Sequence, residues 1–109
     1  MSKYFDSIRV GRVNKDVRGF INIKIDRTTV LGNPFIVRKE VLRDYVCEQH
    51  AKDFDIKVRM KDHEVRKEII RIFKIVKNGG KVNLQCWCAP KRCHGNHIRE
   101  FLLEQLEKV

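Results

Sequence analysis

The stretch KVNLQCWC, residues 81–88, constrains the fold more than any other. Val82, Leu84, Cys86 and Cys88 alternate with Asn83, Gln85 and Trp87, the period of two that a strand imposes. After a turn over Ala89–Arg92 the period becomes helical, with Ile98, Phe101, Leu102, Gln105, Leu106 and Val109 along one side from about Cys93 or His94 onward. A strand that feeds straight into a helix is a building unit of layered α/β folds, and such folds bind ligands where strand ends lead into helix starts.

The rest of the chain fits that class. A short strand is predicted at SIRVGRV, with Ile8, Val10 and Arg12 on one face. The cleanest alternation is FINIKID, where Ile21, Ile23 and Ile25 oppose Asn22, Lys24 and Asp26. Turn-rich NKDVRG lies between them, so the two strands are expected to pair as a hairpin. A helix is predicted from about Arg38 to Phe54, on a stripe of Val37, Val41, Tyr45 with Leu42 and Val46; DIKVRM after it reads as either a short strand or a connector. A second helix runs from about Asp62, its N-cap, to Lys77, burying Val65, Ile69, Ile72, Phe73 and Val76 and stopping at Asn78-Gly79-Gly80. The expectation is one domain, 1–109, with an α/β sandwich of a short mixed sheet, an N-terminal strand pair and about three helices.

Charge narrows the partners. Lys and Arg number 24 against 14 Asp and Glu, a net charge of +10, and a surface this basic attracts phosphate-bearing ligands. A nucleotide or nucleic acid is therefore the expected partner, with a protein partner left open. No apolar run is long enough to span a membrane and no export signal opens the chain, so the four cysteines read as cytoplasmic thiols or metal ligands.

Two loops occupy strand-end positions. In LGNPF, Gly32 permits close approach of a ligand, Pro34 holds Asn33 extended, and the Asn33 amide suits a base edge, ribose or phosphate. The alternative is a rigid turn that sends Phe35 into the core. In CWCAPKRCHGNHI, Cys93 and His94 fall at a helix start whose partial positive charge, backed by Lys91 and Arg92, favours an anion or a thiolate. Pro90 and Gly95 shape this turn.

Three readings follow: an anion pocket; a reactive thiol at Cys93 or Cys88 with His94 beside it; or zinc held by Cys86, Cys88, Cys93 and His94 or His97. Cys86 also continues the Val82–Leu84 face, which suits a packed core thiol, and Cys47 reads as packing. Trp87 is expected to face away from the cysteines, and His50 and His63 to face solvent. With zinc bound, the chain would be a stapled module recognising DNA or a protein. No triad, phosphate-loop or paired-carboxylate pattern names a reaction, so the sequence does not decide whether the chain is an enzyme.

With these loops in view, the chain resembles the uncharacterised family catalogued as domain of unknown function 4326, small prokaryotic and viral proteins that carry a GNPF motif and, after helical sequence, CWC-x-P-x-x-CHG. Here these are Gly32–Phe35 and Cys86–Gly95. The resemblance implies a small Rossmann-like domain with its site at both loops, lined by Arg27, Gly32, Asn33, Cys88, Cys93, His94, Gly95 and Asn96. It also implies a host cytoplasm for viral members. Two departures are visible: Asn96 stands where members often have Asp, and Asp26 and Thr28 flank Arg27 where Gly and Pro are usual.

Overall fold

A computed structural model describes residues 3–34, 38–89 and 91–108. The expectations attached to Phe35, Val37, Pro90 and Val109 lie outside the described residues. Strands β1 (Ile8–Arg12), β2 (Ile21–Lys24) and β3 (Val82–Cys86) form one sheet; helices α1 (Arg43–Arg59), α2 (Glu64–Lys77) and α3 (His94–Glu107) form the layer against it. The α/β class is as expected, but the strand pairing is not. Strand order is β1-β3-β2 and both pairings are parallel, so the sheet is not mixed and β1 and β2 do not meet.

Register explains why β3 takes the centre. Ile8 pairs with Val82 and Val10 with Leu84, while on the other edge Ile21 and Ile23 pair with the same two residues. Facing residues of a parallel pair share a side, so Ile8, Val10, Ile23, Val82, Leu84 and Cys86 make one apolar face beneath the helices, with Ile21 at its exposed edge. All five residues of β3 are buried, including the polar Asn83 and Gln85 of the opposite face. Burial of polar groups needs partners. Asn83 Nδ2 donates to Asn22 Oδ1 at 2.9 Å and Gln85 Nε2 to Asp16 Oδ1 at 2.8 Å.

Asn22 stands on the neighbouring strand β2, and Asp16 belongs to the return from β1 to β2. A hairpin would reverse direction at once, whereas this segment runs back along the polar face, with Val17 N–H on Asn22 Oδ1 and positive φ at Asn14 and Gly19. Gly11 leaves room beneath it: a Cβ there would lie 2.6 Å from Asn83 Oδ1.

Helix limits differ from the sequence reading for local reasons. One 3-10 turn, Glu40–Leu42, precedes α1, and Val41, Leu42 and Tyr45 are exposed; the buried stripe is Val46, Cys47, His50, Phe54 and Val58. DIKVRM has no breaker, and Val58 continues the four-residue step from Phe54, so the helix runs to Arg59. Helix α2 is capped by His63 rather than Asp62, its Nδ1 accepting the Val65 N–H at 3.1 Å, and Gly79 takes the left-handed conformation after its end.

The core is the apolar sheet face against Ile72 and Val76 of α2 and Ile98, Leu102 and Leu106 of α3, all at most 2% exposed. Burial of each such side chain stabilises by about 1.5–3 kcal/mol. Gly95 lets the start of α3 approach the sheet closely, since a Cβ would lie 2.9 Å from Ile25 Cδ1 and 3.0 Å from Val10 Cγ1.

Candidate functional site

The carboxyl ends of β2 and β3 open into a cleft of about 430 Å³. Asp26, Arg27, Thr28 and Asn33 form one wall; Cys86, Trp87, Cys88, Cys93 and His94 form the other; Arg43 and Cys47 of α1 also line it. The two loops singled out in the sequence are thus opposite sides of one space. Arg27, Asn33, Cys88, Cys93 and His94 line it as the sequence reading expected. Gly32, Gly95 and Asn96 do not, and each has a packing or capping task. A Cβ on Gly32 would lie 2.7 Å from Arg27 Cα and closer still to the Asp26 carbonyl, so this glycine lets the loop fold onto the 26–27 backbone.

Asn96 closes a capping box with Cys93: its Oδ1 accepts the Cys93 N–H at 2.9 Å, and the Cys93 sulfur accepts the Asn96 N–H. The Gly95 N–H also turns to that sulfur. The first-turn amides of α3 therefore meet a sulfur atom, and an anion in the cleft would rely on guanidinium groups instead.

The thiols are unevenly placed. Cys86 and Cys93 are buried with sulfurs 2.7 Å apart, and Cys88 is half-buried at the mouth. The hydrogen-bonding contact with Cys93, together with the backbone N–H groups of Ala89 and Cys88, lowers the pKa of Cys86 below its ordinary value. The same contact and burial raise the pKa of Cys93. Burial also raises Cys47. Cys47 packs as expected, its thiol directed at the Arg92 carbonyl at 3.7 Å.

Arg43 is the site residue the sequence reading missed. It begins α1 and no motif marks it. Its guanidinium holds Glu40 in a two-pronged pair at 2.7 and 2.8 Å, donates to the Arg92 carbonyl at 3.2 Å and lies beside Cys88. Glu40 and Cys88 stabilise its charged form, raising its pKa, and Arg43 in return holds the Glu40 carboxyl down at about 2. Arg92 reaches Asp44 at 2.9 Å, so the 91–92 turn is latched to α1 from both directions.

Trp87 departs from its expected position. It lies past the end of β3, about half exposed, on the same cleft as the cysteines. Its indole donates to the Asp26 carboxylate; that carboxylate is held low first by the Thr28 hydroxyl and then, against the cost of burial, by Thr28 N–H and Trp87.

His50 also departs: it is 3% exposed, with ring centroids 5.0 Å from His94 and 5.8 Å from Phe54, and its Nδ1 has no hydrogen-bond partner among the described residues. His63 is the half-buried cap of α2. His94 Nε2 faces the Ile25 carbonyl, which can only accept, so Nε2 carries the proton. Burial lowers the His94 pKa and favours that neutral ring. His97 lies away from the cleft, its Nε2 3.0 Å from Asp55 Oδ1. Of the five residues considered for zinc, His97 is therefore apart from the other four, and no group of three or more His, Cys, Asp or Glu among the described residues is disposed to hold a metal ion.

The family model described as a domain of unknown function (DUF4326) matches residues 8–104. The chain belongs to that family. In this DUF4326 member the match takes in all three strands, both cleft-forming loops and most of α3. No curated protein and no solved structure matches the chain. Among the described residues no helix is long and apolar enough to cross a membrane.

Proposed function

We propose that this protein binds a nucleotide, free or at a nucleic-acid end, in the cleft between the GNPF and CWC…CHG loops. One observation carries the reading: Arg27, Arg43, Asp26, Asn33 and the half-exposed Trp87 border a single space large enough for a base, a ribose and a phosphate. Each fits one part of such a ligand. The guanidinium groups take the phosphate, the Asp26 carboxylate accepts from ribose hydroxyls, Asn33 reads a base edge, and Trp87 stacks. The net charge of +10 draws such a ligand in. Cytoplasm suits this activity because it keeps the cleft thiols reduced.

Titration of the reduced protein with nucleoside mono- and diphosphates and a short single-stranded RNA tests the reading, followed by Trp87 fluorescence and by melting temperature. Binding at low salt that weakens about tenfold in Arg27→Gln supports it. Failure of every ligand in the panel to bind or to raise the melting temperature at low salt would refute it.

A further inference from the structure

Cys86 and Cys93 form a chemical unit that ligand binding does not use. One ends the central strand and the other caps α3, yet their sulfurs stand 2.7 Å apart, and both are free thiols. Hydrogen-bond donors converge on them. The N–H groups of Cys88 and Ala89 point to the Cys86 sulfur, and those of Gly95 and Asn96 to the Cys93 sulfur. Backbone donors gathered this way stabilise negative charge on sulfur, and the positive end of α3 adds to them. Two thiols packed only to fill volume would need none of this. Both border the cleft, while the side chains are 1% and 4% exposed. A small molecule in the cleft can reach them and a protein disulfide cannot.

We propose that Cys86 and Cys93 are a redox-active dithiol that a small hydroperoxide entering the cleft converts to a disulfide. The Cys86 thiolate attacks the terminal oxygen of the hydroperoxide: an S–O bond forms, the O–O bond breaks, and the departing alkoxide takes a proton from solvent to leave as the alcohol, or as water from hydrogen peroxide. Cys86 is then a sulfenic acid. The Cys93 sulfur gives up its proton and attacks Cys86; the S–S bond forms, the S–O bond breaks, and hydroxide leaves with that proton as water. Two thiols and one hydroperoxide thus give one disulfide, an alcohol and water. A small dithiol restores both thiols by exchange and leaves as its own disulfide. None of these steps involves a bound nucleotide, so the proposal stands apart from the binding reading.

The test uses the full reduced chain treated with hydrogen peroxide and followed by intact mass, thiol titration and peptide mapping. Loss of two of the four thiols, with the mass falling by two hydrogens, a cross-link mapped to Cys86–Cys93 and reversal by dithiothreitol, is the expected result. Cys93→Ser is expected to stop at a sulfenic acid that a cyclic dione traps, and Cys86→Ala to consume peroxide at least about tenfold more slowly. If a variant fails to fold, the wild-type map decides. No thiol loss in excess peroxide, or a cross-link through Cys47 or Cys88 instead, overturns the proposal. Nucleotide titration of the reduced protein is a separate measurement, so failure of either reading leaves the other standing.

Discussion

Replacing His50 with Phe or Leu is expected to make the protein less sensitive to acid. Burial comes first among the causes that hold the His50 pKa at about 3 against 6.5, and neighbouring His94, His97 and Lys57 push the same way against an opposing Asp53. The folded pKa lies below the unfolded one, so between them the unfolded chain binds the extra proton and stability drops as the pH is lowered. Well above pH 6.5 the ring is neutral in both states and contributes no pH dependence. At about pH 4.5 the unfolded ring is charged and the folded ring is not, which costs about 2.5 kcal/mol relative to pH 7. That difference persists for any folded pKa well below 4.5. It is a sizeable part of the roughly 5–15 kcal/mol that holds a small domain together. Urea unfolding by far-ultraviolet circular dichroism, across pH 7 to 4.5, measures it in wild type and variant. Exposed carboxylates contribute equally to both and cancel. If the two stability curves run parallel over that range, His50 is solvated or charged in the folded state and the reasoning fails.

Gly32→Ala is expected to lower stability by about 2 kcal/mol or more in thermal melts, because its Cβ would meet 26–27 backbone and not a movable side chain. Asn96→Ala is expected to cost about 1 kcal/mol through loss of the α3 cap, whereas Asn96→Asp keeps the acceptor and stays within about 0.5 kcal/mol, both by urea titration. Trp87→Ala is expected to weaken nucleotide affinity about tenfold while leaving the melting temperature unchanged, since the ring is half exposed. Arg99→Met removes donors to the Ile8 and Phe5 carbonyls, at 2.6 and 2.7 Å, and is expected to speed amide exchange in residues 3–8 more than elsewhere.

Elements with a clean period were legible in the sequence. FINIKID, KVNLQC and the faces of α2 and α3 announce themselves through side-chain spacing, and both cleft-forming loops follow from where strands end. Pairing was not legible, because a hairpin and a split parallel pair leave the same alternation in β1 and β2. The polar residues of β3 mislead for a related reason. Asn83 and Gln85 look solvent-facing until Asn22 and Asp16, distant in sequence, arrive to accept from their amide nitrogens. His50 was readable in principle: it falls on the four-residue steps Val46–His50–Phe54–Val58, and its polarity hid it there. Arg43 was not readable, since only the docking of α1 against the 91–92 turn makes it part of the cleft.

The insertion of β3 between β1 and β2 also makes every strand pairing long-range in sequence. Neither early strand has a hydrogen-bonded neighbour until residues 82–86 arrive, so helices α1 and α2 can close on each other before any sheet exists. Cleft-lining residues lie between positions 26 and 33, at 43 and 47, and at 86–88 and 93–94, and the docking of β3 brings them together. A partly folded chain therefore carries the thiols but not their pairing, and the proximity of Cys86 and Cys93 is a timestamp for completed folding. Cross-linking them at intervals during refolding would date the moment at which the keystone strand enters its slot.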